Sequence, residues 1–218
     1  MTRTVALVVL AAGRGTRFGG GKLSAPLAGK PVIEHVAAAT AALPFSQRIL
    51  VAAPDVPDLP GFTRVALDPP DAPQSRSLAL GIAAAQGADA VLIALADMPL
   101  VPASHFAAML DGFDGDRLTS ICNGQPMPPA LLGKQHFPAL MALTGDRGAG
   151  VLLRDAPTLA LTAEQALDID TPEDLARAET LLPLRQPFGP PPPRWGDRTE
   201  RCSTGSGRPE GGGKGQTL

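Results

Sequence analysis

The chain has 218 residues, 44% of them hydrophobic and 18% charged, with a net charge of −2. That is enough apolar material for one buried core, and it gives no electrostatic footprint for nucleic acid. No run reaches the roughly 18 apolar residues of a membrane span, so neither a nucleic-acid nor a membrane partner is expected.

The start, residues 4–10, is a continuous apolar and β-branched run, as a strand buried on both faces would be. Gly13, Arg14, Arg17 and Lys22 follow too soon for a signal peptide. Residues 31–43 form an Ala-rich helical pattern opened by Pro31. Strands are predicted at 48–53 and 62–67, a helix at 77–86 and a fully apolar strand at 90–96. A helix at 102–110 and strands at 117–122 and 130–132 come next, then helical stretches at 135–143 and 148–154. The last helix, 172–182, is the best marked. Thr171 can cap it, Pro172 suits its first position, and Glu173 and Asp174 complement its dipole.

From residue 186 the character changes. The segment 186–218 has six Pro and eight Gly among 33 residues and a charge of +2, and it contains Trp195, the only tryptophan. Its composition predicts a disordered tail after a folded domain of residues 1–185. Cys122 and Cys202 show no metal-ligand spacing, and read as two free thiols of a cytoplasmic protein.

Alternating strands and helices predict an α/β fold, a Rossmann-like three-layer sandwich with a mainly parallel sheet. Ligands in such folds sit at the carboxyl ends of the strands. Attention therefore falls on the loops after Leu10, after Ala96 and around Asp168–Asp170.

The first loop runs from Ala11 and Ala12 through Gly13, Gly15, Arg17 and Gly19-Gly20-Gly21 to Lys22. Glycines permit positive φ and let backbone amides cradle phosphate oxygens. Arg17 and Lys22 can add charge-assisted bonds to a triphosphate. Two familiar glycine motifs are excluded. Phe18 stands where the dinucleotide fingerprint needs its third glycine. Thr16 and Leu23 break the P-loop pattern.

Strand 90–96 runs into Asp97-Met98-Pro99. A carboxylate there faces the crevice and suits Mg2+, which takes carboxylate and phosphate oxygens. Asp168 and Asp170 share one side of an extended segment. Asp170 is favoured as the second metal ligand, with Asp168 as the alternative. Ser75, Ser77 and Gly81 offer hydroxyls and a point of close approach, although a serine N-cap explains the same residues. His35, His105 and His136 are scattered, read as packing or surface residues, and give no triad pattern.

The string Leu10-Ala11-Ala12-Gly13-Arg14-Gly15-Thr16-Arg17-Phe18-Gly19-Gly20-Gly21-Lys22-Leu23, with Pro26-Leu27-Ala28-Gly29-Lys30-Pro31, closely resembles the signature of the MobA-like nucleotidyltransferases. Ala96-Asp97-Met98-Pro99 and residues 168–175 resemble further motifs of that family, and Ser75–Gly81 its serine-rich segment. The likeness runs in order over residues 5–182. It implies a Mg2+-dependent nucleotidyltransferase with the nucleoside along Leu10, Ala11, Ala12 and Gly13, near Ser75, Ser77 and Gly81. Gly15, Arg17 and Lys22 would serve the phosphates, with Arg17, Lys22 and Asp97 as the catalytic set. The Ala11-Ala12 pair and Thr144-Gly145-Asp146-Arg147-Gly148-Ala149 are similar to the molybdenum cofactor cytidylyltransferase branch, although Gly150 stands where that branch often has arginine. The resemblance thus implies CTP and molybdopterin cofactor as substrates. A molybdoenzyme of the xanthine dehydrogenase type, or its maturation factor, would be a partner. Three alternatives stay open: guanylyl transfer to the same cofactor, a sugar- or alcohol-phosphate nucleotidyltransferase, and a non-catalytic module delivering the cofactor. The segment Asn123–Pro129 is only loosely similar to the acceptor side of the family.

Overall fold

The computed structural model describes residues 3–12, 17–70, 72–145 and 148–182. The tail 186–218, with Trp195 and Cys202, and the loop residues Gly13 and Gly15 lie outside the described residues.

Strand β1 (Val5–Ala11) is buried at all seven positions. Its side chains alternate between two apolar layers. Val5, Leu7, Val9 and Ala11 join one layer, and Ala6, Val8 and Leu10 the other. This is why the run contains no polar residue: both faces of the strand are covered. A short hairpin, β2 (Pro26–Leu27) with β3 (Lys30–Pro31), precedes helix α1 (Val32–Thr40). Then come β4 (Gln47–Ala52), β5 (Thr63–Ala66), α2 (Gln74–Ala84), β6 (Ala90–Leu95) and α3 (Ala103–Gly112). The chain continues through β7 (Arg117–Cys122), β8 (Gln125–Gly133), α4 (Phe137–Met141), α5 (Gly150–Leu153), β9 (Thr158–Ala160) and α6 (Pro172–Leu181).

The seven-stranded sheet has the order β5-β4-β1-β6-β8-β7-β9. Strands β5, β4, β1 and β6 are parallel, and β8 runs antiparallel to both β6 and β7. The expected mainly parallel three-layer fold is the one observed. The predicted short strand at 130–132 is the end of the longer β8. It reverses direction because an Asn123-Gly124 turn, with φ of 49° and 78°, joins it directly to β7. Two positive φ angles suit a tight hairpin turn.

From β1 the chain moves outward to β4 and β5, then returns to β6 on the other side of β1. The strand order therefore switches between β1 and β6, where such sheets open a ligand crevice at the carboxyl ends. Helix α2 lies close on β1 because Gly81 faces Val8; a Cβ at this position would overlap the Val8 side chain. Among the described residues, no helix is long and apolar enough to cross a membrane.

Candidate active site

Two segments deliver three carboxylates to the β1–β6 crevice. Strand β6 ends at Leu95, and Asp97 follows in the turn. The segment before α6 docks beside it, where the Ile169 amide donates to the Asp97 carbonyl at 2.9 Å. This bond puts Asp168 and Asp170 next to Asp97, and one oxygen from each of the three acids lies within 4.8 Å of the others. The start of α6 holds the arrangement rigidly. Thr171 Oγ1 accepts from the Asp174 amide at 3.2 Å, and the Asp174 carboxylate accepts from the Thr171 and Asp170 amides at 2.9 and 3.2 Å. It is a capping box. The cap expected from sequence is present, and it also orients the metal-ligand candidate beside it.

Lys22 stands beneath these acids. It is 5% exposed, and its Nζ donates to Asp97 Oδ2 at 2.7 Å and to Asp170 Oδ1 at 3.2 Å. Burial by itself lowers the ammonium pKa. The charge and hydrogen bond of Asp97, with help from Asp168 and Asp170, outweigh burial and raise it. Arg17 reaches the same cluster from outside. Its Nη1 donates to Asp170 Oδ2 at 3.2 Å, while its side chain remains 77% exposed.

Asp168 keeps a solvent-exposed edge, yet its carboxyl is pushed up to about 7. Lost hydration on its protein side is the largest cause. The Asp97 charge adds to it, Lys22 opposes it, and Asp170 adds further. Asp97 Oδ1 is buried with no hydrogen-bond partner among the described residues. A buried, unpaired carboxylate oxygen is costly, and a divalent cation satisfies it. Three convergent carboxylates with one such oxygen fit Mg2+ or a similar hard cation.

The structure gives the residues expected from sequence the following surroundings. Lys22 points inward to Asp97 and Asp170, and one of its three N–H donors remains for a ligand. Asp168 and Asp170 both join the cluster, rather than one alone. Ser77 is fully buried and donates to the Gln74 carbonyl at 2.8 Å, so its hydroxyl serves the first turn of α2. Gly81 does permit a close approach, to Val8 of β1. Ser75 is buried at the start of α2, where its amide donates to the Gly145 carbonyl at 3.3 Å. Leu10 and Ala11 are buried at the end of β1, and Ala12 is half-buried. Gly19, Gly20 and Gly21 take φ of 86°, 97° and 67°, a run that only glycine tolerates at little cost. Each histidine has a packing or surface partner: the Leu27 carbonyl for His35, Ser120 for His105 and Asp116 for His136.

Residues 7–163 match the profile of the MobA-like NTP transferase domain. The chain is 32% identical to 2-C-methyl-D-erythritol 4-phosphate cytidylyltransferase of Xanthomonas campestris pv. campestris (strain B100), over 87% of this chain and 88% of that one. Among solved structures, Rv0371c from Mycobacterium tuberculosis H37Rv superposes with a TM-score of 0.72 at 25% identity, covering 81% of this chain and 98% of that one. A complex of Rv0371c with manganese has a TM-score of 0.69 at 23% identity, covering 82% and 100%. These relatives do not support the finer expectation of a molybdenum cofactor branch. The curated relative acts on an alcohol phosphate, which fits the sugar- or alcohol-phosphate alternative better. With a nucleotidyltransferase sheet, an acidic cluster at its switch point and the profile spanning most of the folded region, the chain belongs to the MobA-like NTP transferase family.

Proposed function

We propose that the protein transfers CMP from CTP to the phosphate of a small sugar or alcohol phosphate and releases pyrophosphate, in the cytosol and with Mg2+. The observation that carries this reading is the Asp97–Asp168–Asp170 cluster at the β1–β6 switch point, with its unpartnered buried Asp97 Oδ1. The cytidine choice rests on the similarity to a cytidylyltransferase and on Ala11-Ala12. The manganese bound to Rv0371c is a divalent cation held by a chain of the same fold.

In the reaction an acceptor phosphate oxygen attacks the α-phosphorus of CTP. The bond from that phosphorus to the bridging oxygen breaks, and pyrophosphate leaves with the electron pair. No general base is needed, because the attacking phosphate is already ionised. Rate then depends on positioning and on neutralising charge. Asp97, with Asp168 and Asp170, would hold the cation, which supplies Lewis-acid neutralisation of phosphate charge. Lys22 fixes Asp97 and Asp170 in place through its two hydrogen bonds. Arg17, mostly exposed, can turn its remaining N–H donors to the β and γ phosphates.

The test is pyrophosphate release over a grid of CTP and GTP against 2-C-methyl-D-erythritol 4-phosphate, other alcohol phosphates and molybdopterin. Release with CTP and an alcohol phosphate is the expected result. Release with GTP alone, with molybdopterin alone, or with no pair would overturn the reading.

A further inference from the structure

The turn of the β2–β3 hairpin is gripped by two side chains from outside it. Leu27 and Lys30 pair across the hairpin, so Ala28 and Gly29 form a two-residue turn, with φ of 47° and 78°. Two positive φ angles in a row suit Asn-Gly or Gly-Gly, and an alanine in the first position is costly. The peptide group between Leu27 and Ala28 is held at both ends. Its carbonyl oxygen accepts from His35 Nε2 of α1 at 3.0 Å. Its N–H donates to the two carboxylate oxygens of Glu179, near the end of α6, at 3.2 and 3.0 Å.

We propose that Glu179 is a positioning residue. Through the Leu27–Ala28 peptide it sets where the end of the glycine loop stands relative to the acids, and so how tightly the nucleotide is held. The proposal rests on the reading of the site as one of nucleotidyl transfer. Two facts carry it.

The first is continuity. The Ser24 amide donates to the Gly21 carbonyl at 3.0 Å, the Ala25 amide to Lys22 at 3.3 Å and the Val32 amide to Ala25 at 3.0 Å. Leu23 and Leu27 are buried in one apolar layer with Ile169 and Ala178. The end of the glycine loop and the hairpin are therefore one bonded unit, and a shift of the turn carries Lys22 with it. The second fact is that α6 holds this unit at two points. Asp170, fixed by the capping box at the start of the helix, accepts from Lys22. Glu179 accepts from Ala28. Thr171 and Glu179 lie about 12 Å apart along the helix. One attachment leaves a loop free to pivot, whereas two at this spacing fix its angle. The tether also holds Ala28 in a conformation that an alanine by itself disfavours. Such residues persist where their surroundings over-determine them, and a carboxylate is a stronger acceptor for a backbone N–H than a neutral group.

The experiment measures binding of CTP and of GTP, each with Mg2+, by calorimetry on the full chain, together with amide hydrogen exchange and thermal unfolding. Glu179→Ala is expected to weaken CTP binding about fivefold and to speed exchange at Ser24, Ala25 and Ala28. Glu179→Gln keeps an accepting oxygen and should stay within about twofold of the wild type. Ala28→Asn, a residue that tolerates positive φ, should bring the Glu179→Ala protein back to within about twofold. Glu173→Ala removes an exposed acid from the same helix and should change neither readout. A lowered melting temperature with unchanged CTP affinity in Glu179→Ala would overturn the proposal and leave a purely structural contact. A loss that Ala28→Asn does not restore would overturn it as well. Binding of GTP in place of CTP would remove the cytidine reading, and the same variants would then be judged on GTP affinity. If the wild type binds neither nucleotide, the transfer reading fails; unchanged exchange at Ser24 and Ala25 in Glu179→Ala would sink the tether independently.

Discussion

The two ends of the sheet each carry a group of aspartates, and they are built differently. At the amino end, Asp89 accepts from Lys134 at 2.9 Å and from the backbone and side chain of Thr4. Asp116 pairs with His136 at 2.6 Å and with Arg117 at 3.1 Å. Each acid has its own donors, and both carboxyls are held down to about 2 by those hydrogen bonds, from Lys134 first in one case and His136 first in the other. At the carboxyl end, three acids crowd within 4.8 Å and share the buried Lys22. There Asp168 is driven up to about 7 instead. Matched charges tie loops together. An excess of one sign, held in place by a capped helix and a buried lysine, is an arrangement poised for a cation.

The largest effect should come from Asp97→Asn, which removes a charge and the carboxylate that owns the unpartnered oxygen. Turnover should fall by about 10²–10³-fold while circular dichroism stays native; near-normal turnover would erase the distinction between the two ends. Lys22→Gln comes next, with about a 10²-fold loss expected in kcat. Here a change confined to KM would mean that Lys22 serves nucleotide binding alone.

The pH response should also separate the ends. Asp168 titrates near 3.8 when unfolded and near 7 when folded. Between these values the metal-free fold holds one more proton than the unfolded chain. Its stability from this group therefore falls as pH rises through that window. A divalent cation competes with the same proton, so Mg2+ affinity should weaken as pH drops below about 7. Thermal unfolding with Mg2+ and with chelator, from pH 5 to 8, should give curves that diverge as pH rises; parallel curves would contradict this. The smallest effect is expected for Asp116→Asn at the amino end, with a slight drop in melting temperature and kcat/KM within about twofold, as for a surface substitution away from the site.

Much of the fold was legible because its signals are local. The uninterrupted apolar run of β1, the glycine-rich loop and the Thr171-Pro172-Glu173-Asp174 helix start depend on residues a few positions apart. β9 was missed because it has only three residues at the sheet edge, two of them exposed. The β2–β3 hairpin was missed for a similar reason, since two-residue strands carry no periodicity. Within the site, Asp97 was legible as a carboxylate ending an apolar strand. The inward turn of Lys22 was not, and neither was the joining of both Asp168 and Asp170 to Asp97.

The sequence alone was enough to determine the parallel α/β core, the glycine loop with its family resemblance, and the three acids, Asp97, Asp168 and Asp170, that the fold brings together. Only the tertiary structure decided that Lys22 faces Asp97 and Asp170, across 75 and 148 residues of chain. It also decided that Gly81 serves packing against Val8, and that His35 and Glu179 meet on one peptide of the β2–β3 turn. The reason is physical. Strand burial and helix caps are set by neighbours along the chain, whereas the partner of a buried charge is set by whatever the fold brings within a few ångströms, where Coulomb energy is large and water is scarce.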